Sequence, residues 1–90
     1  MFVVVCYDIS SDRRRNKVGK ILEGFGTRVQ KSVFECDLQL KHLQKLKQRL
    51  AKVLKDEDSV RYYYLCAECV SKVEVINGPP VTQTQLYFAV

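Results

Sequence analysis

Histidine is nearly absent from this sequence: only His42 occurs, among lysines on a basic helix, so no Ser-His-Asp or Cys-His arrangement competes as the catalytic centre. Long apolar runs are equally scarce. The longest opens the chain, has no basic residues ahead of it and meets Asp8 after seven residues, which predicts neither a signal peptide nor a membrane span. A cytoplasmic location is therefore expected, with Cys6, Cys36, Cys66 and Cys69 reduced. There is no internal repeat, linker or low-complexity stretch, and the chain has only two prolines and four glycines. Ninety residues make one compact domain (1–90), so any site must come from one small core or from an oligomer interface. Acidic residues are the minority, ten against fifteen basic ones. The net charge of +5 favours a polyanionic partner such as nucleic acid.

Phe2 to Ile9 is β-branched and apolar on both alternating faces, the pattern of a covered central strand. Ser10, Ser11 and Asp12 supply helix-capping groups, and Val18, Ile21, Leu22 and Phe25 repeat at helical spacing, so a helix is expected from Asp12 to Gly24. Arg28 to Cys36 alternates as a second strand, and Gln39 to Lys55 forms a basic amphipathic helix. Val60 to Cys66 and Val73 to Ile76 read as further strands, and Gln85 to Val90 as a terminal one. A β-α-β-β-α-β arrangement needs one more strand between the helices. Glu35 to Leu40, entered through a turn near Cys36-Asp37, is the best candidate. The fold class is then α+β, a ferredoxin-like sandwich with two helices on one sheet face, an extra C-terminal strand and a bare opposite face. Spare strands and a bare face predict a homodimer.

Asp8 stands at the end of an otherwise apolar strand, as a metal ligand or catalyst, or as a cap for the amides of Ser10 to Asp12. On the helical wheel Arg14 and Arg15 extend the inward stripe, Lys17 lies on its flank, and Arg13 and Lys20 point away. Arg14 and Arg15 are expected near Asp8, either closing the core end as an ion pair or positioning phosphates beside a metal-binding carboxylate. One carboxylate is a sparse Mg²⁺ site, which a two-fold axis joining two Asp8 side chains would complete. His42 reads as a solvated surface residue. Cys66-Ala-Glu-Cys69 has metal-knuckle spacing but no second pair, so structural thiols or a facultative disulfide are the expectation. Tyr62, Tyr63 and Tyr64 read as core and dimer contacts rather than base-stacking groups.

Taken together, Val5-Cys-Tyr-Asp8-Ile-Ser, the Arg13-Arg-Arg-Asn-Lys17 run, Arg28-Val-Gln-Lys-Ser-Val-Phe-Glu35-Cys and Tyr64-Leu-Cys-Ala-Glu-Cys69 resemble the small CRISPR-associated Cas-two family over nearly the whole chain. The resemblance implies a ferredoxin-like homodimer whose C-terminal strand, here Leu86 to Val90, pairs with the partner's sheet. It implies Asp8 as the metal-binding and catalytic aspartate, with Tyr7, Arg15, Arg28 and Phe34 at positions near the cleft. Lys17 stands where some members have Arg, and Lys31 where relatives are often uncharged. A role in spacer acquisition is also implied, the dimer bridging copies of the adaptation integrase. Two functions follow. The first is a Mg²⁺-dependent endonuclease acting on single-stranded RNA or duplex DNA, with Asp8 holding the ion and Arg14, Arg15 and Arg28 positioning phosphates. The second is a non-catalytic DNA-binding scaffold.

Overall fold

The apolar opening segment lies inside the sheet between two other strands, with one face buried against the helices and the other half-exposed. In a computed structural model, which describes residues 1–82, the elements run β1 (Phe2–Asp8), α1 (Asp12–Glu23), β2 (Thr27–Gln30), β3 (Val33–Asp37), α2 (Leu40–Ala51), β4 (Ser59–Leu65) and α3 (Ala67–Ser71). The strand order is β2-β3-β1-β4 with every pairing antiparallel, which is the ferredoxin-like topology. Val3, Val5 and Tyr7 of β1 pack with Phe34 and Cys36 of β3 against Val18 and Leu22 of α1 and Leu43, Leu46 and Leu50 of α2. Both long helices therefore lie on one sheet face. The other face carries Val4, Cys6 and Asp8 of β1, opposite Tyr63, Arg61 and Ser59 of β4. No helix among the described residues is long and apolar enough to cross a membrane.

The expected second strand is really two. Arg28 to Cys36 folds as a hairpin turning at Lys31-Ser32, not near Cys36-Asp37, and Cys36 and Asp37 belong to β3. Opposed residues of an antiparallel pair share a face, and here Arg28 faces Phe34 and Thr27 faces Glu35. Next to the turn Gln30 faces Val33, so the register shifts between Arg28 and Gln30 and an irregularity interrupts the alternation of β2 there. The turn is held from β1: Tyr7 N donates to Ser32 O at 3.1 Å, and the Tyr7 hydroxyl to Lys31 O at 3.3 Å.

The expected strand Val73 to Ile76 does not form. The chain instead turns through α3, and residues 73–79 lie beside Val29, Gln30 and Glu35 with Ile76 exposed. β-Branched residues supply the propensity, but no sheet edge is paired with them among the described residues. Asn77 takes a positive φ of 55°, ending the segment in a turn with Gly78. The basic helix stops at Ala51, four residues before Lys55, and Val53 and Leu54 pack on the core from the turn that follows. The expected terminal strand Gln85 to Val90 lies outside the described residues.

Candidate functional site

Asp8 is the last residue of β1, exposed, opposite Ser59. It does not cap the following helix. Ser11 is the N-cap of α1, its hydroxyl accepting from Arg14 N at 3.3 Å. Nor does Asp8 pair with Arg14. That guanidinium bonds Asp58 through Nε at 2.8 Å and Nη2 at 3.1 Å, and Glu57 at 2.8 Å, so the acidic turn before β4 closes this end of the core. The Asp58 side chain is wholly covered. Its carboxyl is held below the usual carboxylate range, first by the Arg14 hydrogen bonds and then by the Lys55 backbone N–H. Among the described residues Asp8 has no hydrogen bond and no ion pair, so both of its oxygens keep their lone pairs free.

Four residues expected to touch phosphates or bases are committed elsewhere. Arg14 is a core-end latch. Arg15 donates to Ile9 O at 2.9 Å and pairs with Asp12. Arg28 donates to the Lys31 carbonyl, reaches the Tyr7 hydroxyl at 3.5 Å, lies 3.7 Å from Glu23, and stacks 4.7 Å above the Phe34 ring. Phe34 is fully buried and Tyr7 nearly so, their rings stacked 6.3 Å apart, so Phe34 cannot meet a ligand. It supports Arg28 from beneath. A family-position match carries no information about which side of the sheet a side chain takes. Arg15, Arg28 and the Tyr7 hydroxyl do line a shallow cavity of about 230 Å³ with Asn16, Lys31 and Ser32. Lys17 is exposed on α1, as its flank position predicts.

The densest run of cations lies on and just after α2. Between Leu38 and Lys55 there is no acidic residue, while Lys41, Lys45, Lys47, Arg49, Lys52 and Lys55 all occur, six against a whole-chain surplus of +5. The rest of the chain is close to neutral. At ~100° per residue Lys41, Lys45 and Lys52 fall within about 40° of one another, opposite buried Leu43, Leu46 and Leu50. All three are exposed, and none forms an ion pair among the described residues. The row spans about 16 Å at 1.5 Å per residue. It runs from the Asp37–Phe2 end of the sheet toward the end where β4 begins opposite Asp8. On its flanks Lys47 lies over the Tyr62 and Tyr64 rings at 5.0 and 5.4 Å, and Arg49 over Phe25 at 5.6 Å. This is the basic face of the amphipathic helix expected from the sequence. Tyr62 is a core contact as expected, whereas Tyr63 and Tyr64 are about half exposed. His42 is half-buried on the flank of α2, not solvated.

Hard divalent cations take oxygen ligands and keep several waters and substrate oxygens. The free carboxylate of Asp8 fits that requirement as one protein ligand. Among the described residues no three His, Cys, Asp or Glu side chains gather as a metal site, so one chain supplies only part of a coordination shell.

Residues 1–73 match the family described as CRISPR associated protein Cas2. The sequence is 50% identical over 88 residues to CRISPR-associated endoribonuclease Cas2 1 of Chloroflexus aurantiacus, covering 94% of this chain and 95% of the relative. Among solved structures it resembles Streptococcus pyogenes Cas2, with a TM-score of 0.76, 32% identity, and coverage of 86% of this chain and 100% of that one. It also resembles a chain of a partial Cas6-RT-Cas1–Cas2 complex, with a TM-score of 0.78 and 28% identity over 92% of this chain and 98% of that one.

Proposed function

The chain belongs to the CRISPR-associated Cas2 family, and from that premise we propose that it is a metal-dependent endonuclease of spacer acquisition. It acts in the cytoplasm as a homodimer alongside the Cas1 integrase, on single-stranded RNA or duplex DNA. The observation that carries the reading is Asp8. The neighbouring carboxylates Asp12, Glu57 and Asp58 are held by arginines, and this one is left exposed without such a partner among the described residues. An unpaired carboxylate at the end of a core strand contributes nothing to packing. Relatives of this chain are named CRISPR-associated endoribonucleases, an activity that a free carboxylate able to hold a metal ion would serve.

In the proposed dimer, the half-exposed face bearing Val4, Cys6, Val33 and Tyr63 meets its copy, and two Asp8 side chains share one Mg²⁺. Bound there, the ion would supply Lewis-acid stabilisation of phosphate charge and a more acidic water. The chain's own residues do the remaining work. Asp8 supplies anionic oxygen ligands and fixes where the scissile phosphate must sit. The Arg28 guanidinium, held over the Phe34 ring and tethered to the Lys31 carbonyl, is preorganised beside the shallow cavity at the hairpin turn. The α2 lysine row grips the phosphate backbone without reading bases.

Asp8→Asn tests the reading. Mg²⁺-dependent cleavage should disappear while nucleic-acid affinity at fixed salt stays within about twofold. Retained cleavage removes Asp8 from the chemistry, and loss of folding together with binding makes its role structural. The segregation of cations on α2 favours a second reading, a scaffold that binds duplex DNA and cuts nothing. Highly purified protein that binds with a steep salt dependence, yet shows no cleavage removable by chelator or by Asp8→Asn, selects it.

A further inference from the structure

The four cysteines divide into two chemical classes. Cys36 is fully buried in the core, and desolvation pushes its thiol up to about 12, so it holds almost no thiolate near neutral pH. Cys6 is half-buried on β1. Cys66 and Cys69 are both exposed, and their Sγ atoms lie 3.4 Å apart, within S–H···S range. Cys66 follows the last residue of β4 as the N-cap of α3, and Cys69 lies one turn on in α3. No metal-ligand cluster gathers around them among the described residues. The Cys66 thiolate is favoured first by the Cys69 backbone N–H and next by the Cys69 thiol. The same contact pushes Cys69 up, so the two sulfurs have unequal roles.

We propose that Cys66 and Cys69 are a redox-active dithiol that closes to an intrachain disulfide by exchange with a low-molecular-weight disulfide such as oxidised glutathione. Cys66 attacks as the thiolate. Its sulfur bonds to one glutathione sulfur, the glutathione disulfide bond breaks, and the departing thiolate takes up the proton that Cys66 gave. Cys69 then loses its proton and attacks Cys66 Sγ, expelling the second glutathione as a thiol. Two protein thiols are oxidised and one disulfide is reduced to two thiols. Excess reduced glutathione runs the sequence backwards. A disulfide needs ~2.05 Å between sulfurs, so the pair must close by about 1.4 Å, a distance within reach of side-chain rotation.

Position gives the chemistry a structural consequence. Cys66 lines a cavity of about 730 Å³ with Met1, Phe2, Leu65, Val70 and Thr82, where the chain leaving α3 returns to the sheet. There Thr82 N donates to Glu35 Oε1 at 2.9 Å. The disulfide would fix the first turn of α3 to the end of edge strand β4 and restrict the path of the segment that follows.

The full-length protein, reduced and freed of reductant, is equilibrated in glutathione buffers of graded ratio, blocked with N-ethylmaleimide and mapped by mass spectrometry. The peptide bearing Cys66 and Cys69 should lose both labels together over one range of ratios, with a mass two hydrogens lower, and regain them with dithiothreitol. In the folded state Cys66 should label at least about a hundredfold faster than Cys36. Cys69→Ser should trap one glutathione on Cys66, whereas Cys66→Ser should leave Cys69 largely unmodified. Both sites are exposed, so the unfolding midpoint of each variant checks that the fold is intact, and the wild-type labelling does not depend on the variants. The proposal is overturned if the wild-type protein accumulates a stable glutathione adduct, if Cys6 oxidises before the pair, or if the disulfide links two chains. Co-purifying zinc that shields both thiols from label overturns it in favour of a metal site.

Discussion

Replacing Lys41, Lys45 and Lys52 together by Gln should change how nucleic-acid binding responds to salt far more than it changes the fold. Each phosphate neutralised on duplex DNA contributes about 0.9 to the slope of log affinity against log salt concentration. Three lysines in one exposed row, each seated on a phosphate, therefore contribute about 2.7 per protomer lying against the backbone. Between ~50 and ~200 mM salt the wild-type protein should lose roughly 40-fold more affinity than the variant. The row's length of about 16 Å faces some nine or ten phosphate charges at one per ~1.7 Å, so three simultaneous contacts are geometrically undemanding. Gln keeps helix propensity, and none of the three lysines has an ion-pair partner among the described residues, so stability should stay within about 0.5 kcal/mol. Fluorescence anisotropy on a duplex of mixed sequence over a salt series measures the slope. The matched control removes Arg13, Lys17 and Lys20 from the outer side of α1. An unchanged slope for the α2 variant, with a reduced slope for the α1 control, would refute the assignment of the grip to α2.

Asp58 is held below the usual carboxylate range chiefly by Arg14, so its contribution to stability is present above its unfolded value of about 3.9 and lost as pH falls through the lower folded value. Asp58→Asn should flatten the fall in stability below about pH 4, read by denaturant unfolding at stepped pH, and parallel wild-type and variant curves there would remove the latch from the acid response. Phe34→Ala should cost about 3–5 kcal/mol in urea unfolding and release Arg28 from its stacked position, and a loss under about 1 kcal/mol would contradict its central packing. Gly26 sits where an added Cβ would overlap the Glu35 carbonyl oxygen and Cys36 Sγ. Gly26→Ala should therefore destabilise by about 1–3 kcal/mol through displacement of the α1–β2 connection, and a neutral unfolding midpoint would show that this approach is looser.

The central strand, both long helices and the two-sided sheet were legible because each rests on periodicity within one segment. The inward setting of Arg14 and Arg15 was legible for the same reason: the helical wheel placed both on the inward side, and both are half-buried while Arg13, Lys17 and Lys20 are exposed. The hairpin turn at Lys31-Ser32 was not legible, since no Gly, Pro, Asn or Asp marks it and the register shift between Arg28 and Gln30 shows only in the strand pairing. Val73 to Ile76 carried strand propensity without a paired edge among the described residues to realise it, and α3, which precedes it, is a run too short for its own periodicity to be read. At the site, Asp8 as an exposed acid ending an apolar strand was evident from the letters. Which carboxylate Arg14 would choose was not, because Asp58 lies 44 residues away in sequence.

By itself, then, the order of residues determined the central strand, the two long helices, the charge surplus and the family, since these depend on neighbours within a turn or two and on motifs written contiguously. Tertiary structure alone decided the partners. It gave Arg14 to Asp58, laid Arg28 on a buried Phe34 and left Asp8 without a cation. The physical reason is that a side chain's pairing is fixed by which other segments are packed beside it, and that proximity is set by strand order and helix placement, not by any spacing along the chain.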